Sequence, residues 1–231
     1  MFRRSFYLRV QDKYVCIGDA SLGRGPLNAL VAEFQAPEMG QRISVSLDTA
    51  SAWAPRPMNG AARPNIGALR ASLDGHVPQD GFGCTILGVE NALSVHAQPA
   101  LEALERWLAG HALGADVEQL IGLGPGLTPS GDDYLGGVLI SLRWLGRGAH
   151  ADSLWRWLEP RLAARTSAIS AAHLAAAAAG EGHEALHEVL ENLAAWETPS
   201  LTASLGRLDA IGHSSGWDAL AGVVAVARSA S

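Results

Sequence analysis

Pro99-Ala-Leu-Glu-Ala-Leu-Glu-Arg-Trp-Leu108 marks the point where the chain changes texture. Leu101, Leu104, Trp107 and Leu108 recur at three- and four-residue spacing with Glu102, Glu105 and Arg106 between them, the pattern of an amphipathic helix. The spacing predicts a helix over Ala100–Leu113. Downstream the same period predicts further helices at Asp133–Leu145, Ser153–Arg165, Ser167–Ala179, Glu184–Trp196 and Trp217–Arg228. Ala and Gly fall on several faces of these helices, so close helix packing is expected. Upstream the pattern is short and strand-like. Phe6–Val10 and Tyr14–Ile17 read as a hairpin through Gln11-Asp-Lys13, and further strands are expected at Ala29–Phe34, Ile43–Leu47, Gly83–Leu87 and Ala92–Val95. Pro55, Pro57, Gly60 and Pro64 make Trp53–Pro64 irregular. The expectation is an α+β fold. Residues 1–98 form a β-rich region with a small mixed or barrel-like sheet, and residues 99–231 form a helical region.

Composition narrows the function. The 231 residues carry a formal net charge of -6, which argues against a general nucleic-acid binder, since these show a basic face. Lys13 is the only lysine, so a lysine-based mechanism has one candidate. Cys16 and Cys84 form no CxxC pair and read as packing residues rather than a zinc or redox motif. The amino end has no apolar stretch of the secretory kind, and no run of about 18 strongly apolar residues offers a membrane span. The expected compartment is the cytoplasm, with no membrane partner.

The chemistry concentrates in Ile121-Gly-Leu-Gly-Pro-Gly-Leu-Thr-Pro-Ser-Gly-Asp-Asp-Tyr134. Gly122, Gly124 and Gly126, followed by Thr128, Ser130 and Gly131, lead straight into a helix. Such a loop turns backbone N–H groups toward one point, and the helix start adds its own free N–H groups and positive dipole end. That suits a small anion, phosphate or carboxylate. No Gly-Lys-Ser/Thr follows, so this is not a Walker loop, and the dinucleotide GxGxxG spacing is absent. Asp132 and Asp133 would repel an anion unless a cation lies between, which makes a Mg²⁺-bridged phosphate a hypothesis. The alternative is that they complement the helix dipole behind a Ser130 cap.

Ser215-Gly-Trp-Asp-Ala-Leu-Ala-Gly-Val repeats Ser130-Gly-Asp-Asp-Tyr-Leu-Gly-Gly-Val as Ser-Gly-x-Asp-x-Leu-x-Gly-Val. In each, Ser reads as an N-cap and Asp falls where it can bond back to the cap amide. The repeat predicts two helix starts side by side, with His213, Ser214 and Ser215 facing Thr128, Ser130 and Asp132 or Asp133. Arg165, Ser167 and Ser170 offer a cation and hydroxyls, against the alternative of close packing in a core helix. Arg24, between Gly23 and Gly25, is either an anion ligand or a solvated turn residue. His183 and His187, at i and i+4, read as a solvated helix face rather than metal ligands.

The stretch Gly122–Gly137 resembles the GLGxGLTPSGDDxLxG signature of a bacterial family associated with oxamate carbamoyltransferase as its AllH-type subunit. The similarity extends to Leu22–Asn28, to Thr166–Ser170 and to Gly212–Asp218. It implies a subunit working with larger carbamoyltransferase partners in anaerobic purine (allantoin) degradation, exchanging oxalurate and phosphate for oxamate and carbamoyl phosphate. On that basis Thr128 and Ser130 are expected to hold carbamoyl phosphate oxygens, with Gly124, Gly126 and Gly131 in the cradle and Ser214, Ser215 and Ser167 beside it. Arg24 or Arg165 would hold the carboxylate. His213 and Asp132 are the candidate catalytic residues, and Asp132 and Asp133 the candidate Mg²⁺ ligands. The alternative function is a non-catalytic ligand-binding or assembly subunit of a larger enzyme.

Overall fold

The computed structural model describes residues 5–38, 40–46, 50–55, 64–73, 77–195 and 198–229. Strands β1 (Ser5–Val10) and β2 (Lys13–Gly18) form the expected antiparallel hairpin, in register from Ser5↔Gly18 to Val10↔Lys13. Its two-residue turn places Gln11 at φ 56°. β3 (Asn28–Leu30) pairs parallel to β2 and completes a three-stranded sheet.

Helices dominate the rest: α1 (Ile66–Ser72), α2 (Ala92–Leu108), α3 (Ser130–Trp144), α4 (Gly148–Arg165), α5 (Ala168–Ala178), α6 (Glu184–Ala195), α7 (Thr198–Asp209) and α8 (Ser215–Ser229). The α+β expectation holds, with the helical carboxyl-terminal part as read.

Several boundaries differ from the reading. Gly83–Leu87 is a 3₁₀ turn, not a strand, and ends on Gly88 in the left-handed region. Ala92–Val95 opens α2, because Asn91 and Ser94 form a reciprocal capping box that starts the helix ahead of Pro99. Pro99 then sits inside the helix at the cost of one backbone donor. The helix also ends at Leu108, short of Leu113. The Ala29–Phe34 strand is confined to β3, and Ile43–Ser46 is irregular, Leu47 lying outside the described residues. Of Trp53–Pro64, only Trp53–Pro55 and Pro64 are described, without regular structure.

The core is built around α3, whose residues from Ser130 to Trp144 are buried except for Asp133 and Arg143. A helix apolar all round belongs at the centre of a protein, and α3 is flanked by α4, α5 and α8. Its closest partner is α8, through the two repeated motifs. A Cβ on Gly137 would overlap the Ala219 carbonyl, and one on Gly222 would overlap the Tyr134 carbonyl. The two contacts are the same contact read in both directions, since Tyr134 and Ala219 occupy equivalent motif positions, as do Gly137 and Gly222. The helices therefore cross about a local pseudo-two-fold axis, with a glycine on each side admitting the other's backbone.

Both helices begin earlier than expected, at Ser130 rather than Asp133 and at Ser215 rather than Trp217. Pro129 is the N-cap of α3, and the amides of Asp132 and Asp133 return to its carbonyl at 2.9 and 3.0 Å. The Asp218 amide likewise returns to Ser214 at 2.9 Å. Ser130 and Ser215 are thus first-turn residues, not caps, which frees their hydroxyls to reach across.

The sheet packs on the helices through the Leu22–Asn28 turn. Gly23, at φ 66°, lies against the His183 ring, whose Nε2 donates to Leu22 O at 2.7 Å while Nδ1 accepts from the Ala185 amide at 3.1 Å. His187 is buried and its Nε2 accepts from the Gly182 amide at 3.1 Å; burial lowers it to about 4. The expected solvated histidine face is therefore a docking surface. Among the described residues, no helix is long and apolar enough to cross a membrane.

Candidate functional site

A cavity of about 560 Å³ opens where the sheet, the Gly-rich loop and the starts of α3 and α8 meet. Thr128, Ser130 and Asp133 from one motif and His213, Ser214 and Ser215 from the other line it. The two helix starts are neighbours: the Thr128 and Ser215 hydroxyls lie 3.2 Å apart. Tyr7 and His173 close the sheet side, with the Tyr7 hydroxyl 3.5 Å from His173 Nε2. Burial, with a smaller push from His183, lowers His173 to about 4, so the imidazole is neutral near physiological pH.

The acidic pair divides its labour. Asp132, only 2% exposed, is held by three donors: Oδ1 accepts from the Gly122 amide at 2.8 Å, and Oδ2 accepts from the Ser170 hydroxyl at 2.6 Å and from Thr166. It ties the Gly-rich loop and α5 to α3. Three of its acceptor positions are thereby committed to the protein, and the residue also borders the cavity. Among the described residues no group of three His, Cys, Asp or Glu gathers to hold a metal. Asp133 meets the hydroxyls of Ser215 and Thr128.

Asp133 and Asp218 are the equivalent carboxylates of the two motifs. Each is met by the first-turn serine of the other helix, Ser215 for Asp133 and Ser130 for Asp218. Their remaining surroundings differ. Asp218 is 1% exposed; Oδ1 accepts from the Phe82 amide at 2.5 Å and Oδ2 from Ser214 at 2.8 Å. Gly81, at φ 76°, lets this segment lie directly on the carboxylate, where any side chain would collide. Asp133 has the Thr128 hydroxyl nearby, but its Oδ2 is buried without a partner, and the residue lines the cavity. Burial raises both acids, Asp133 well above the usual carboxylate range and Asp218 to about 6.

An acid held higher in the folded than in the unfolded state stabilises below the unfolded value and loses that contribution as pH rises through the folded value. Asp218→Asn is accordingly expected to flatten the pH dependence. The wild-type advantage over the variant should shrink by about 3 kcal/mol from below pH 4 to above pH 6, read by urea unfolding across that range.

The other expected site residues fall in different places. The Arg165 guanidinium pairs with Glu118 at 2.6 Å outside the cavity lining, and its carbonyl packs against Gly122. Arg24 is two-thirds exposed; its amide donates to Glu184 at 2.7 Å and its carbonyl accepts from the Glu184 amide at 2.9 Å. Neither arginine lines the cavity, and no Arg or Lys does among the described residues. Ser167 caps α5 and donates to Leu127 O at 2.7 Å, fastening the loop from behind. The Gly131 amide is committed to Leu123 O at 2.9 Å. Gly122, Gly124 and Gly126 all have positive φ. Side chains at the first two would strike Arg165 and Ser130, whereas the space at Gly126, on the cavity wall, is open.

His213 stands at the rim, largely exposed, with Nε2 2.9 Å from Asp80 Oδ2. Asp80 and Tyr7 were not singled out in the sequence, whereas His173 shares a helical face with Ser167 and Ser170. Asp80 and Tyr7 lie far along the chain from the motifs, with no spacing to connect them.

Fold and cavity together define an α+β protein with a small-molecule-sized site at two crossed helix starts. Residues 120–227 match the family model described as oxamate carbamoyltransferase subunit AllH. The family is that of a carbamoyltransferase subunit, which implies partner subunits. No curated protein and no solved structure matches the chain.

Proposed function

We propose that this protein is a carbamoyltransferase subunit whose substrate site is the cavity between the Gly-rich loop and the crossed starts of α3 and α8. The substrates are of the oxalurate and oxamate kind with phosphate or carbamoyl phosphate. The observation that carries the reading is the convergence of Thr128, Ser130, Ser214 and Ser215 on one cavity at two helix starts. In the reaction a phosphate oxygen attacks the carbamoyl carbon of oxalurate and the C–N bond to the oxamate nitrogen breaks. That nitrogen takes up a proton, leaving oxamate and carbamoyl phosphate. The chain's contribution is to hold the anionic groups with hydroxyls and loop amides at Gly126–Ser130, and to stabilise the oxyanion on the carbamoyl carbon. His213, oriented by Asp80, is placed at the rim to carry the proton.

A second reading, a ligand-binding or assembly subunit that completes a partner's site, is favoured by the lack of Arg and Lys among the described lining residues. Carbamoyl phosphate turnover by the chain with its co-expressed partners separates the two readings. Under the first, Thr128→Ala weakens phosphate or carbamoyl phosphate binding by about 0.5–1.5 kcal/mol in calorimetric titration, and Gly126→Val abolishes it by forcing the loop out of its positive φ. Wild-type binding by a folded Gly126→Val variant would sink the loop's role.

A further inference from the structure

The cavity is longer than a two-carbon substrate needs. On α3 it is lined by Ser130, Asp133, Gly136, Gly137 and Ile140, one stripe of the helix at three- and four-residue spacing. From Ser130 to Ile140 that stripe extends about 15 Å along the axis at the usual helical rise. α5 runs alongside in the same direction: Ser170 meets Asp132, Ala177 lies beside Gly136, and the Ala178 carbonyl accepts from Arg143. Hydroxyls therefore gather at the helix starts, while Leu22, Pro26, Ile140, Leu174, Ala177 and Leu186 wall the far end. The polar groups among them are spent on the protein. The Tyr7 hydroxyl faces His173 Nε2 and the Cys16 thiol, and both ring nitrogens of His183 are bonded to backbone. Glu181, a charged side chain at this end, is exposed and repels a second anion.

We propose that the far end is a subsite for an apolar group, so that the cavity takes an elongated ligand: a polar or anionic head at the helix starts and a hydrocarbon body of about four to six carbons beyond Gly136. An oxamate ion measures roughly 4 Å between its outermost heavy atoms. Oxamate and phosphate together would leave the apolar walls facing water, whereas a hydrocarbon body removes that surface from it. Gly136 keeps the two ends connected. A Cβ there would meet only the Ala177 methyl, at 3.7 Å, an ordinary contact, so a longer side chain extends into the cavity.

The subsite rests on the cavity being the substrate site. Oxamate, N-propyloxamate and N-hexyloxamate share one head and differ in the body. They are titrated calorimetrically into the full chain, alone and with its co-expressed partner subunits. Affinity is expected to rise about fourfold per methylene, and so by more than about tenfold from propyl to hexyl. Gly136→Leu, which fills the passage, should keep oxamate binding and lose that rise while circular dichroism reports a retained fold. A flat or falling series in wild type overturns the apolar subsite and leaves the carbamoyltransferase reading standing. So does a rise that survives unchanged in folded Gly136→Leu, since the body then lies elsewhere. A rise present in the isolated chain but lost in the assembly also overturns it, because a partner segment then fills the space. Binding of no member of the series in any preparation overturns both. Should Gly136→Leu not fold, Gly136→Ala takes its place, a reduced rise being the expected result and an unchanged one the contrary.

Discussion

Gly137→Ala is expected to destabilise the protein by about 3 kcal/mol or more, at the upper end of overpacking costs. The added methyl meets the Ala219 carbonyl of α8, a backbone atom that no rotamer change can move aside. Both helices are buried along most of their length, so the strain passes directly into the core. Gly222→Ala should cost a similar amount, because it presses on the Tyr134 carbonyl from the other side of the same axis. The double variant tests the geometry more sharply than either single one. If one substitution already separates the helices, the second finds room, and the combined loss in urea unfolding should fall clearly short of the sum. Full additivity would mean that the two glycines are not facing halves of one crossing.

Asp132→Ala is the other change with a large expected effect. It leaves the Gly122 amide and the Thr166 and Ser170 hydroxyls without their acceptor, in a place that water reaches poorly. A loss of about 3–5 kcal/mol is expected, as for a broken buried hydrogen-bonded charge. The Gly122–Thr128 segment should exchange its amide hydrogens faster, since Asp132, together with Ser167, fastens it to the helices. Asp132→Asn should fall between, keeping one acceptor oxygen. Hydrogen exchange read by mass spectrometry separates this anchoring role from a catalytic one. An Asn variant with wild-type stability, wild-type loop protection and lost turnover would return Asp132 to the chemistry.

Much of the fold was legible in the sequence where periodicity is long. The helices α3 to α6 and α8 were located from apolar spacing, α7 was not, and the hairpin was read from two short runs around Gln11-Asp12. The strands expected at Gly83–Leu87 and Ala92–Val95 failed for a physical reason. Four or five apolar residues fit either a strand or one helical turn, and the outcome was set by the Asn91–Ser94 capping box and by docking of Gly81–Gly83 on α8.

At the candidate site, the repeated Ser-Gly-x-Asp pattern pointed to neighbouring helix starts, and Thr128 and Ser215 do meet. The pattern could not say which aspartate of Asp132-Asp133 ties the loop and α5 to α3. Adjacent residues on a helix point about 100° apart, so one faces the α5 hydroxyls and the other the cavity, and only the placement of α5 fixes which.

By itself the sequence determined most of the helical half, the glycines that its loop and crossing require, and the motif within residues 120–227, the stretch that matches the family model. These are properties of local spacing and of backbone angles that few residues other than glycine adopt. The tertiary structure decided which polar groups are spent on the protein and which remain for a ligand. Arg165 went to Glu118, Asp132 to Gly122, Thr166 and Ser170, and Asp133 kept a buried oxygen without a partner. Hydrogen bonds between residues tens to more than a hundred positions apart form only once packing has brought the elements together, and their pairing leaves no period in the chain.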